Sequence, residues 1–111
     1  MLQERIKKLA SKYAGEYVEI RRHLHAHPEL SYQEFETSKF IQKKLNEIDV
    51  PYKIMAKTGV VGMIEGKNPQ RKIIALRADM DALPIKEENN IPYKSQNEGV
   101  MHACGHDVHT T

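Results

Sequence analysis

The spacing of the apolar residues changes at Pro51, and this change limits what the chain can fold into. Before Pro51, apolar side chains recur every three or four residues, which is the period of a helix with one buried face. The stripe consists of Leu2, Ile6, Leu9, Tyr13, Tyr17, Ile20 and Leu24. After Pro51, apolar residues stand in short runs separated by glycine and proline, which is typical of β-strands. We therefore predict helices followed by a sheet.

Two helices are predicted before Pro51. The first is limited by Pro28, because the residue before a proline disfavours helical backbone. The second is expected to begin at residues 31–34, a capping-box pattern in which the Ser31 hydroxyl takes an unpaired N–H of the first turn while the Glu34 carboxylate reaches back. This second helix would end before Val50.

Strands are predicted over residues 52–56, 60–64 and 72–78. The third run contains four consecutive apolar residues that do not alternate with polar ones, so we expect it to lie inside a sheet covered on both faces. Gly105 and Asp107 near the end of the sequence indicate the start of another helix. Two helices and then a mixed sheet predict a layered α/β or α+β domain.

Composition and charge exclude several classes of protein. Seventeen Lys and Arg residues against fifteen Asp and Glu leave a net charge of +2, too balanced for a nucleic-acid or polybasic membrane surface. The single cysteine cannot form an internal disulfide and suits a reducing cytosol. The first residues lack the apolar core of a signal peptide, and no apolar run approaches the length of a membrane span. We therefore expect a soluble, cytoplasmic protein of 111 residues with one domain.

Asp79 and Asp81 form the first cluster of reactive side chains, directly after the predicted third strand. Ligand sites in open α/β sheets lie beyond the carboxyl ends of strands. Carboxylates there can bind a metal, orient an imidazole, or act as acid and base. Acids after a strand also form ordinary turns and caps, and Pro84 favours that simpler interpretation. Taken alone, the pair indicates a turn more readily than a site.

Residues 102–109 form the second cluster, which holds three of the six histidines, the only cysteine and an aspartate. Gly105 allows a tight turn between Cys104 and His106, and thiolate with imidazole favours zinc and similar metals. Two alternatives are open: Cys104 could be a nucleophile activated by His102 or His106 with Asp107 orienting the imidazole, or a buried free cysteine among surface histidines. Catalytic dyads usually join distant segments, so the sequence favours a metal site.

Histidines alternate at positions 23, 25 and 27, at the end of the first predicted helix. Residues two apart on a helix do not share a face, so these side chains cannot converge on one ion while the segment is helical. Positive charge near a helix C-terminus complements the helix dipole. We expect a structural role for this cluster.

Three segments together resemble the amidohydrolase branch of the M20 metallopeptidase family. They are residues 21–34 (RRHLHAHPELSYQE), 76–85 (LRADMDALPI) and 99–110 (GVMHACGHDVHT), in the family's order and with similar gaps. The branch includes hippurate hydrolase, N-acyl-L-amino acid amidohydrolases, auxin-conjugate hydrolases and N-acetyldiaminopimelate deacetylase. The resemblance implies an α/β metallopeptidase catalytic domain that cleaves the amide bond of N-acyl amino acids or short peptides.

The resemblance also implies roles for particular residues. Cys104 and His106 would bind metal in a centre of two divalent ions, which could be zinc, manganese, cobalt or nickel. Asp79 and Asp81 take the place of the family's His-x-Asp pattern, and one of them would support the catalytic site. His109 matches a motif position whose role stays open.

The length of the chain departs from the family pattern, since members run to several hundred residues. By the resemblance, residues 1–111 would be the N-terminal segment of the catalytic domain, without the lid or dimerisation domain and without the glutamate pair that supplies the general base. We expect such a segment to be inactive alone, whereas the complete enzyme could form a homodimer. The alternative is a non-catalytic metal-binding or interaction remnant.

Overall fold

The computed structural model describes all 111 residues and contains three helices and one two-stranded sheet. In chain order these are α1 (Leu2–Ala26), α2 (Phe35–Glu47), β1 (Tyr52–Met55), β2 (Gly59–Gly62) and α3 (His106–Thr110). The two predicted helices and the first two predicted strands are confirmed, as is the helix start at Gly105. No helix combines the length and the apolar character that crossing a membrane requires.

α1 is covered only at its C-terminal end. Its buried residues are Leu24, His25 and Ala26, whereas the apolar residues of its first turns, such as Leu2 and Ile6, remain exposed. The helix ends as predicted before Pro28, where the His27 N–H donates to carbonyl oxygens of the last turn. The apolar stripe therefore identifies the helix correctly, but most of the stripe has no partner in this chain.

The capping box predicted at residues 31–34 does not form. The cap of α2 is instead the Glu29 carboxylate, which accepts hydrogen bonds from the backbone N–H groups of Glu36 at 3.1 Å and Thr37 at 2.6 Å. Tyr32 has a φ of +66°, so the backbone turns sharply between the capping carboxylate and the helix. An acid two residues before Ser31 therefore satisfies the first turn, in place of the Ser31 hydroxyl.

The antiparallel hairpin of β1 and β2 packs beside α2. Tyr52 lies opposite Gly62, and Met55 lies opposite Gly59. The connecting turn is fixed by Thr58, whose hydroxyl donates a 2.9 Å hydrogen bond to the buried Glu34 carboxylate. Glu34 thus ties the hairpin to the start of α2 instead of serving the predicted capping box.

The third predicted strand is not formed. Residues 72–78 have no strand partner, and their apolar side chains face solvent: Ile73 is 90% exposed and Leu76 is 97% exposed. A strand covered on both faces requires neighbours on each side, and β1 and β2 pair only with each other. The prediction of a buried strand is therefore wrong for this chain.

The segment that follows α1 holds the later part of the chain in place. The Glu29 carbonyl oxygen accepts the Ala82 N–H at 2.7 Å, and the Ala26 carbonyl oxygen accepts the Gln96 N–H at 2.8 Å. Leu30 forms an isolated parallel bridge with Ala82. Leu83, the residue after Ala82, forms an isolated antiparallel bridge with Met101. These contacts bring residues 79–107 against the end of α1.

Few residues are buried. Only 13 of 111 residues lie in the interior, and most of them are polar or charged. The accessible area is 9064 Å², whereas a compact monomer of this mass exposes about 6,300 Å². The buried residues lie in two regions, one around the C-terminal end of α1 and the start of α3, the other where the start of α2 meets the hairpin turn.

Candidate metal centre

Gly105 places the second cluster by reversing the backbone immediately before α3. Its φ is +92°, a left-handed conformation that costs a residue with a Cβ atom far more than glycine. Cys104 lies before this reversal and is exposed. His106 is the first residue of α3, with a side chain that is 16% exposed.

Asp81 orients the His106 ring. His106 Nδ1 lies 2.8 Å from Asp81 Oδ1 and 3.0 Å from the Asp81 carbonyl oxygen. Both neighbours are acceptors, so Nδ1 donates to them, and Nε2 is the ring nitrogen left to bind a metal in the neutral imidazole. A carboxylate on one ring nitrogen and a free lone pair on the other is the usual arrangement of a metal-binding histidine.

Asp79 lies at the other edge of the ring. Its Oδ2 atom is 3.9 Å from His106 Nε2, and its Oδ1 atom accepts a 2.6 Å hydrogen bond from Arg77. The Asp79 carbonyl oxygen accepts the Thr110 hydroxyl at 2.8 Å, which joins this turn to the end of α3. The structure thus brings both predicted acids to His106, Asp81 at Nδ1 and Asp79 near Nε2.

The donor atoms present suit a divalent metal but do not complete a site. Thiol, imidazole and carboxylate are all common ligands of zinc and related ions. No three His, Cys, Asp or Glu side chains in the chain lie close enough to hold a metal ion by themselves. The exposed Cys104 is near His106 in sequence, but its thiol does not form a group of three ligands with His106 and the acids.

The cluster of residues 102–109 contains two further histidines. His102 is buried, and neither of its ring nitrogens has a hydrogen-bond partner. Burial lowers the pKa of His102, and the nearby Asp107 charge offsets only part of that effect. His109 is exposed, with its ring centroid 5.7 Å from that of His106.

Sequence reasoning missed a second group of charged residues, which we call the buried ion cluster: Arg21, His25, Glu87 and Asp107. His25 Nδ1 lies 2.8 Å from Asp107 Oδ2, and His25 Nε2 lies 3.1 Å from Glu87 Oε1. Arg21 Nε lies 2.9 Å from Asp107 Oδ2, an ion-pair contact whose angle is too poor for a hydrogen bond. Arg21 and His25 are four residues apart and share one helix face, which is the signal that could have paired them.

Glu87 is held in its ionised form. Burial by itself would raise the pKa of this carboxyl, but hydrogen bonds from the Ser95 N–H, from His25 and from Asn89 outweigh burial. The pKa of Glu87 therefore lies below its ordinary value.

The structure bears on both alternatives for Cys104. The thiol is exposed, so the alternative of a buried free cysteine is wrong. A nucleophilic arrangement needs Asp107 to orient an imidazole beside the thiol. Asp107 instead points away, toward His25 at the end of α1. His23 and His27, the other two histidines at the end of α1, are exposed. The His23 ring stacks on Phe40 with centroids 4.2 Å apart, as expected for a structural role.

Comparison with known proteins gives several matches. The sequence profile of peptidase family M20/M25/M40 matches residues 75–111. A protein of Synechocystis sp. named as a probable hydrolase is 50% identical over 107 residues, covering 96% of this chain and 27% of the relative. An uncharacterised hydrolase of Staphylococcus epidermidis is 57% identical over 91 residues, covering 82% of this chain and 23% of the relative.

The fold gives the same result. The crystal structure of the Bacillus subtilis YXEP protein, described as a dinuclear metal-binding peptidase of the M20 family, matches with a TM-score of 0.85 at 46% identity. The match covers 90% of this chain and 28% of that one, so the chain spans about a quarter of the length of its relatives. The predicted α/β metallopeptidase fold is confirmed. By sequence and by fold, the chain is similar to the N-terminal part of peptidases of the M20 family.

Proposed function

We propose that these residues belong to a metal-dependent hydrolase that cleaves the amide bond of N-acyl amino acids or short peptides. The observation that carries the proposal is the His106 ring, whose Nδ1 is tied to Asp81 while Nε2 remains free beside Asp79. The relatives named as hydrolases, and the neighbour described as a dinuclear metal-binding peptidase, support the same chemistry.

His106 and Cys104 would hold metal in a centre of two divalent ions, which we propose to be zinc, manganese, cobalt or nickel. When bound, such ions activate a water molecule and polarise the scissile carbonyl group. Asp81 keeps the proton on His106 Nδ1, so that Nε2 presents its lone pair. Asp79, which Arg77 steadies at 2.6 Å, would face the water or supply a further oxygen ligand.

We further propose that residues 1–111 do not catalyse this reaction alone. A catalytic zinc site needs about three protein ligands and an open water position, and this chain offers no group of three. General acid–base catalysis contributes about 10²–10⁴-fold, and we place the base in the part of the enzyme that these residues do not include. If the 111 residues bound metal and the full-length protein also failed to turn over, the alternative of a non-catalytic metal-binding remnant would be favoured.

The test uses the full-length protein, stripped with a chelator and reconstituted separately with zinc, manganese, cobalt or nickel. Turnover of hippurate, N-acetyl amino acids and dipeptides is expected to require metal. Cys104→Ala and His106→Ala should each lose at least one metal ion by elemental analysis and most of the activity. His27→Ala is the control, because this exposed histidine lies outside the site. Full metal occupancy in both ligand variants would overturn the assignment.

A further inference from the structure

We propose that the buried ion cluster is a positioning unit for the metal centre, which fixes α3 and the Cys104–His106 turn against the end of α1. The inference rests on the proposed function, because it assigns the cluster a role in metal binding. None of its four members reaches the metal-facing edge of His106, so each would act through the position of the turn.

The His25 ring is held on both of its edges. Each of its ring nitrogens faces a carboxylate, Asp107 on one side and Glu87 on the other. The ring therefore bridges two acidic side chains that belong to different segments of the chain. The side chains of His25, Glu87 and Asp107 are 3%, 1% and 1% exposed. With Arg21 the cluster joins two basic and two acidic side chains, so that removal of one of them leaves its buried partners without a bond.

Asp107 connects the buried ion cluster to the residues that would face the metal. Asp107 follows His106 directly, and its Oδ1 atom accepts the Val108 N–H at 3.0 Å within the first turn of α3. A helix of five residues is far too short to be stable by itself, so its position depends on tertiary contacts. His106 is therefore fixed twice, through its ring by Asp81 and through its backbone by Asp107.

Glu87 connects the buried ion cluster to a third segment of the chain. Glu87 also accepts the Ser95 N–H at 2.8 Å and the Asn89 amide at 3.1 Å. The cluster thus joins the end of α1, the loop of residues 87–95 and the start of α3. A cluster that served stability alone could be replaced by well-packed apolar side chains. Directional bonds to three separate segments are what the placement of a ligand-bearing turn requires.

The experiment compares His25→Gln with His27→Gln in the full-length protein. Each variant removes one imidazole at the C-terminal end of α1, where His27 is the residue that follows the helix. His27 is exposed, and its Nδ1 contacts the His23 carbonyl oxygen. Cobalt affinity and the thiolate-to-cobalt absorption band, which reports the bond to Cys104, are measured together with hydrogen exchange of the metal-free protein.

We expect His25→Gln to weaken cobalt binding about 10–100-fold, the range found when partners of metal ligands are removed. The amides of Val108, His109 and Thr111 should exchange at least about tenfold faster, which corresponds to the loss of their protection by local structure. Amides of α2 should be unchanged, and His27→Gln should match the wild type in every measurement.

A lower melting temperature with cobalt affinity, absorption band and α3 exchange all within twofold of the wild type would overturn the proposal. If His25→Gln fails to fold, Glu87→Gln replaces it, because that variant keeps the side-chain shape and removes one charge. Failure of the proposed function is seen separately, as full metal occupancy in Cys104→Ala and His106→Ala. In that case the exchange of the α3 amides still tests whether the cluster positions this turn.

Discussion

Asp79 and Asp81 are two residues apart, but they meet opposite edges of the His106 ring. Because Asp81 orients the ring through Nδ1, Asp81→Ala should weaken metal binding about 10–100-fold. Asp79→Asn keeps the shape of the side chain and should retain the metal while reducing turnover, because it lies beside the free Nε2 edge. Metal content and kcat of the full-length variants measure both effects. Equal metal loss in the two variants would contradict this division of roles.

The lowered pKa of Glu87 predicts a particular dependence of stability on acid. Since the folded-state pKa lies below the ordinary value of 4.5, the carboxylate stabilises the fold fully above that pH. This contribution is lost as the pH falls below 4.5 and through the folded-state pKa. The difference in unfolding free energy between wild type and Glu87→Gln, measured with urea on metal-free protein, should therefore shrink as the pH is lowered from about 6 to 3. Parallel curves for the two proteins would show that the ionised Glu87 carboxylate gains nothing from its hydrogen-bond partners.

Some of the site was within reach of sequence reasoning, and some was not. His106 and Cys104 stand close together in one motif, so their chemistry is visible as a local pattern. The partner of His25 is 82 residues away, and no spacing rule pairs residues at that distance. Burial of His102 is equally nonlocal, since it depends on which segments cover the loop.

At the level of elements, the capping of α2 gives a direct test. Glu29→Ala removes the acceptor for two backbone N–H groups of the first turn and should lower the free energy of unfolding by about 0.5–2 kcal/mol. Ser31→Ala is the matched control, because the predicted capping box does not form and Ser31 is exposed. Urea denaturation of both variants measures the difference. A larger loss of unfolding free energy in Ser31→Ala than in Glu29→Ala would show that the capping box forms after all.

Elements that depend on neighbours in sequence were predicted correctly. The hairpin of β1 and β2 is closed by a short turn, so its two strands supply each other's hydrogen bonds. Residues 72–78 carry an equally strong strand pattern, but a buried strand needs partners and covering layers that are distant in sequence. The pattern shows that this segment is suited to a buried strand, but this chain supplies neither a partner strand nor a covering layer for it.

For the whole molecule, the exposed apolar area predicts association. Ile74 and Leu76 are 75% and 97% exposed, on a chain with few buried residues. The 111-residue chain should therefore bind hydrophobic dyes and self-associate in sedimentation experiments. The double variant Ile74→Lys/Leu76→Lys should reduce both without lowering the melting temperature, because neither side chain packs against the fold. Wild-type chain that remains a monomer without dye binding at every concentration would contradict this expectation.

The hydrogen bond between His25 and Asp107 also sets an order of events during folding. Closing a loop of 82 residues costs about 4 kcal/mol of chain entropy. The contact must also wait until residue 107 leaves the ribosome, when α1 and the hairpin have long been available. We therefore expect the turn that carries Cys104 and His106 to reach its native position last, after the transition state for folding. Changes in the buried ion cluster would then speed unfolding more than they slow folding. A metal ion that arrives before this step would meet a loose thiol and a loose imidazole, so the timing of metal delivery becomes part of how such a chain matures.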